Sequence, residues 1–163
     1  LPLARAPAMR SLWRLCGISP PEALSEPATW TARDMAADCE ALAFVPHGRH
    51  GRGVWIDGGP PAERLRRHLA AVTQGATEAR QELARIAAWQ TRALAATARI
   101  KGENPARVIA ELAAQPLLSA AMLEAQTGIS RDTAERLLAR LRDLGLAREI
   151  TGARRFRLWT ASG

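Results

Sequence analysis

Residues 116–146, PLLSAAMLEAQTGISRDTAERLLARLRDLGL, leave the chain few choices of fold. Two apolar-striped runs are each opened by a serine and closed by a glycine. Ser119 precedes AAMLEAQT and Gly128 follows it; Ser130 precedes RDTAERLLARLRDL and Gly145 follows that. A serine oxygen accepts from a first-turn N–H that has no intrahelical partner. A glycine accepts the positive φ at which a right-handed helix ends. Asp132 falls in the first turn of the second run, where the helix dipole favours negative charge. The connection Thr-Gly-Ile-Ser forces a tight corner, and Leu123, Ile129, Ala134 and Leu137 stand where apolar anchors would set the angle between the helices. This is the layout of a helix-turn-helix. Glu124 occupies the position where such motifs usually place alanine against the second helix.

The flanks extend the pattern. Upstream, Asn104 is expected to cap a helix with Pro105 at its first position, Val108, Ile109 and Leu112 as its buried stripe, and Pro116 as its stop. Downstream, LAREI (146–150) and RFRLW (155–159) read as strands joined by Thr-Gly-Ala-Arg in a hairpin. Alternation along the second strand places Arg155 and Arg157 on one face, turns Phe156 and Leu158 to the core, and leaves Arg154 in the turn. Helix, helix-turn-helix and hairpin in that order make a winged helix over residues 104–160.

Two stretches carry a family resemblance: S-x-x-T-A-x-x-L-L-x-x-L-x-x-L-G-L at 130–146 and E-I-T-G-x-R-R-x-R-L at 149–158. The region resembles bacterial winged-helix domains, above all the C-terminal tails of Fic-type adenylyltransferases. It is also similar to an uncharacterised bacterial family, often plasmid-encoded, that pairs a domain of unknown function with a helix-turn-helix. The resemblance implies a DNA-binding domain. Adenylylation does not carry over, because HGRHGRG (47–53) lacks the order of the Fic signature, a His followed by a Gly-Asn-Gly-Arg anion loop.

The rest of the chain is helical in character. Pro60-Pro61 opens an amphipathic segment over 62–101, either one long helix or a helical hairpin broken at Gly75. Leu65, Leu69, Val72, Ala76, Ala79, Leu83 and Ile86 repeat at alternating spacings of four and three, a heptad seam. That 65–86 stripe must bury against the N-terminal segments or a second copy, so a homodimer is an expected assembly. Residues 1–61 read as an irregular, partly helical segment of a larger domain, in a chain that opens on Leu1 rather than Met. Within it, LWRLCG (12–17) suggests a short helix closing at Gly17. Residues 29–45 suggest another, with Thr31 as N-cap and Met35, Cys39 and Leu42 on one face. Residues 44–59 suggest a glycine-rich loop or irregular hairpin with VWI as one arm. The fold class is therefore mainly α, with a small β-hairpin.

Composition bears on the partner. Lys and Arg number 23 against 16 Asp and Glu, and the net charge of +7 suits an anionic partner such as nucleic acid. The near-total preference for Arg, with Lys101 the single lysine, also fits a GC-rich coding sequence. Cys16 and Cys39 fit neither a metal spacing nor a disulfide framework, which points to a reducing cytoplasm. No run is long and apolar enough for a membrane span. His47, His50 and Cys39 make no coherent ligand set, His68 sits among Arg64, Arg66 and Arg67 as an exposed polar residue, and no nucleophile–base arrangement emerges. Neither a metal, a cofactor nor an enzymatic centre is expected. Trp13, Trp30, Trp55, Trp89 and Trp159 read as core or interface anchors.

The expected partner is double-stranded DNA, bound by a transcriptional regulator. With Ala134, Leu137, Leu138, Leu141 and Leu144 inward, the second helix turns Asp132, Glu135, Arg136, Ala139, Arg140 and Asp143 outward. Ser130, Arg131, Thr133, Arg136 and Arg140 would face the major groove, while Arg154, Arg155 and Arg157 grip phosphates from the wing or reach into the minor groove. The mixed face is also compatible with ordinary i,i+4 ion pairs. It motivates the alternative, a winged helix serving as a protein-interaction module attached to an upstream enzyme or toxin-like domain.

Overall fold

The computed structural model describes residues 2–37, 43–47, 59–152 and 156–162. The described elements run α1 (Pro2–Leu15), α2 (Ser25–Ala36), α3 (Pro61–Thr97), α4 (Asn104–Ala114), α5 (Ala120–Thr127), α6 (Arg131–Asp143), β1 (Ala147–Glu149) and β2 (Trp159–Ala161). They divide into two compact units, Leu1–Gln81 and Glu82–Gly163, with the division inside α3.

In the first unit α1 lies against α2. Arg5 donates to Asp34 Oδ2 and to the Asp34 carbonyl, each at 2.7 Å, and the rings of Trp13 and Trp30 are 6.5 Å apart. The Arg64 guanidinium on α3 donates to Ser11 Oγ on α1 at 2.7 Å. Three expectations change here. The first helix starts ten residues before Leu12, although Gly17 does follow its end with φ +59°. Thr31 is not a cap: α2 begins at Ser25, and Thr31 is a buried mid-helix residue whose hydroxyl donates back to the Pro27 carbonyl at 2.6 Å. His68 is not exposed but 2% accessible, its ring 5.3 Å from that of His47. Burial, then the charges of His47 and Arg10, lower its pKa to about 4, so the ring is neutral at physiological pH. Cys39, Leu42, His50, Trp55 and the VWI arm lie outside the described residues.

α3 runs unbroken through Gly75, which removes the hairpin alternative. Its buried positions are not the heptad seam. In the first unit they are His68, Ala71 and Gly75; in the second, Trp89, Ala93 and Thr97. Leu83, a seam residue, is 67% exposed.

The second unit is built around one core. Trp89 and Ala93 of α3, Val108, Ile109 and Leu112 of α4, Leu123 of α5, Leu138 and Leu141 of α6, and Trp159 of β2 pack together with Leu118 and Ile129. Each buried aliphatic side chain contributes on the order of 1.5–3 kcal/mol. The Trp89 indole N–H, which needs a partner once buried, donates to the Leu146 carbonyl at 2.9 Å. α4 begins at Asn104 itself, with Glu103 at the N-cap and no side-chain cap, so Asn104 does not play the expected role.

β1 and β2 pair antiparallel, with Ala147 opposite Ala161, Arg148 opposite Thr160 and Glu149 opposite Trp159. Trp159 also exchanges two backbone hydrogen bonds with Leu118, at 2.8 and 2.9 Å, placing β2 between β1 and the segment joining α4 to α5. The result is a winged helix with a one-residue third strand. The return strand lies farther along the chain than residues 155–159. Leu158 is half-buried, but Phe156 does not enter the core: it is 83% exposed. The ring that fills the core is that of Trp159.

Candidate nucleic-acid interface

Local chemistry explains how α6 is presented. Ser119 accepts from the Met122 N–H at the start of α5, and Gly128 ends that helix with φ +70° and its N–H on the Glu124 carbonyl. Ser130 Oγ then accepts from the Thr133 N–H at the start of α6. At the far end, Gly145 N–H donates to the Arg142 carbonyl and Leu146 N–H to the Leu141 carbonyl, both at 2.8 Å, the paired bonds of a Schellman stop. Glu124 keeps out of the helix–helix contact. It is exposed, and its carboxylate accepts from the Arg131 N–H at 3.3 Å, tying α5 to the first turn of α6.

Ala134, Leu138 and Leu141 fix the inward face of α6, with Leu137 half-buried. Leu144, expected inward, is exposed because the helix has already ended there. On the outward face, Arg131 pairs with Glu135 at 3.3 Å and Arg136 with Asp132 at 3.2 Å, all four exposed. Ser130 Oγ donates to Thr133 Oγ1 at 3.0 Å, and the Arg136 guanidinium donates to that same oxygen at 3.3 Å. Four of the anticipated contact residues, Ser130, Arg131, Thr133 and Arg136, thus converge on the first two turns. Arg140 stands a turn farther on, exposed, with no ion pair among the described residues.

The wing is organised by Glu149. Its carboxylate accepts from the Thr151 N–H at 2.9 Å, the Gly152 N–H at 2.8 Å and the Thr151 hydroxyl. The hydroxyl bond, then the two amides and the charge of Arg157, hold this carboxyl below its ordinary pKa. Ile150 N–H donates to the Leu158 carbonyl at 3.0 Å, and Leu158 N–H reaches Thr151 Oγ1 at 3.3 Å. Beyond that pair Arg157 is exposed; Arg154 and Arg155 lie outside the described residues. Arg148, exposed on β1, adds a cation that the strand assignment alone did not single out. The Glu149 clamp was also missed, although E-x-T-G is a local signal: a carboxylate two and three residues ahead of two turn amides.

Residues 106–161 match the family model of a helix-turn-helix (HTH) DNA binding domain. The match covers α5, α6, both strands and most of α4. No curated protein and no solved structure matches the chain. The core, however, reaches upstream of the match to Trp89 and Ala93, so the folded unit that presents α6 includes the end of α3. Among the described residues, no group of three His, Cys, Asp or Glu side chains could hold a metal ion, and no helix is long and apolar enough to cross a membrane.

Proposed function

We propose that this protein binds duplex DNA through its second unit and acts as a transcriptional regulator. α6 enters the major groove with Ser130, Arg131, Thr133, Arg136 and Arg140, and the wing holds phosphates or reaches into the minor groove with Arg154, Arg155 and Arg157. The observation that carries this reading is the doubly capped, outward-facing α6 inside a winged helix, in the region that matches a DNA-binding family model. An N-terminal turn of a recognition helix is where base edges are met, and an Arg there can pair bidentately with guanine. A wing with more cations than anions supplies the sequence-independent grip.

The Arg131–Glu135 and Asp132–Arg136 pairs favour a second reading, in which the mixed face of α6 docks a protein. Selection of bound sites from random duplexes separates the two. DNA binding predicts an enriched motif and an affinity that falls steeply with salt. Absence of enrichment, with only weak binding that does not respond to salt, would reject the DNA reading.

A further inference from the structure

The wing carries an aromatic side chain for which its own fold has no use. Phe156 is 83% exposed, and its φ of +56° makes it the one non-glycine residue with positive φ among the described residues. Left-handed backbone crowds a Cβ against the following carbonyl, and an exposed ring forgoes the burial that aromatic residues usually contribute. Both features oppose folding at a single position. Strain of this kind persists where surrounding contacts impose it, and it concentrates at sites of function.

The described ends of the hairpin stand close by in the chain. Pairing ends at Ile150 and Leu158, and the Glu149 carboxylate fixes Thr151 and Gly152 on the outgoing limb of the turn. Phe156 lies two residues before Leu158, the last paired residue, exposed and outside the core that Trp159 fills, with the exposed Arg157 next to it in the chain. An exposed apolar ring next in sequence to an exposed guanidinium suits one feature of duplex DNA. The narrow minor groove attracts arginine, and proteins that kink DNA there insert an apolar side chain between base pairs at a flexible step.

We propose that Phe156 is a minor-groove wedge: its ring enters between base pairs at a pyrimidine–purine step and kinks the duplex, while Arg157 lies along the groove. This rests on the DNA-binding reading above, and it adds to that reading an inserted side chain, a step type and a deformation.

The test uses the full chain and a short alternating A·T duplex carrying 2-aminopurine at a TA step, with dyes at its ends to report bending. The unaltered protein should brighten the 2-aminopurine and shorten the end-to-end distance. Phe156→Gly should melt no lower than the unaltered protein, since glycine accepts the backbone conformation. It should bind roughly tenfold more weakly, the scale of one lost base–aromatic contact, and abolish both optical signals. Phe156→Trp should retain them. If Phe156→Gly binds and bends DNA as the unaltered protein does, the wedge is wrong and the DNA reading stands. Binding by the unaltered protein without any 2-aminopurine response likewise overturns the wedge alone. Failure of the unaltered protein to bind any duplex overturns both.

Discussion

α6 and the wing carry the same number of arginines but use them differently. Over 131–143 four arginines face three acids; over 148–157 four face Glu149 alone. On α6, Arg131 and Arg136 are already engaged with carboxylates one turn away. Meeting a base would require exchanging one partner for another, which costs affinity and sharpens selection. On the wing the lone acid is turned inward on its own backbone amides, leaving positive charge in excess. On the proposed reading, sequence reading and phosphate grip fall to different elements. The larger, salt-sensitive share of affinity should come from the smaller element.

The strongest challenge to that division is to strip the wing. Changing Arg154 and Arg155 together to Ala should weaken binding to all duplexes alike and reduce the salt slope by about two, near one per lost phosphate contact. Affinity measured across a salt series checks this, and an unchanged slope would remove these residues from phosphate contact. Arg136→Ala should behave otherwise. It should cost about 1–3 kcal/mol of discrimination at one base pair while leaving the salt slope little altered. Equal loss on every sequence would mean that α6 grips rather than reads.

The two regions also differed in how far the sequence disclosed them. α5 and α6 were legible because their boundaries are set by chemistry within three or four residues: Ser119, Gly128, Ser130 and Gly145 act on amides and carbonyls close by. The hairpin was legible as a hairpin, but its return strand was placed too early. FRLW alternates well enough to support either register. What decides is a long-range contact, the double hydrogen bond from Trp159 to Leu118, 41 residues away in the chain and invisible to any local pattern. Non-local packing likewise hid the burial of His68, whose arginine-rich neighbours describe the helix surface and not what covers it, His47 among them. The α6 ion pairs, by contrast, could be anticipated from i,i+4 spacing alone.

Glu149 offers a subtler test, because it acts on the shape of the wing and not on DNA. Its carboxyl titrates lower in the folded protein than its ordinary value of 4.5. A depressed carboxyl pKa adds stability that is present above the unfolded value and is lost as pH falls through the folded one. The Thr151 and Gly152 amide resonances should therefore titrate together, with a midpoint below 4.5. Glu149→Gln should abolish that titration and weaken DNA binding a few-fold at neutral pH. A midpoint at or above the ordinary value would mean that the clamp does not hold the turn in solution.

The smallest effect is expected from the acids of α6. Exposed i,i+4 pairs contribute only about 0.3–0.5 kcal/mol each, so Asp132→Asn with Glu135→Gln should leave the melting temperature almost unchanged. Both carboxylates point outward on the helix proposed to enter a groove lined by phosphates, and both restrain an arginine. Neutralising them should therefore tighten binding to unrelated duplexes more than binding to the selected site, so that the ratio of the two affinities falls. Competition between selected and scrambled duplexes measures that ratio directly. If it is unchanged, the acids are ordinary surface partners and the specificity of α6 resides in its arginines alone. If it rises, the carboxylates oppose site recognition and the contrast between the two elements is of charge, not of role.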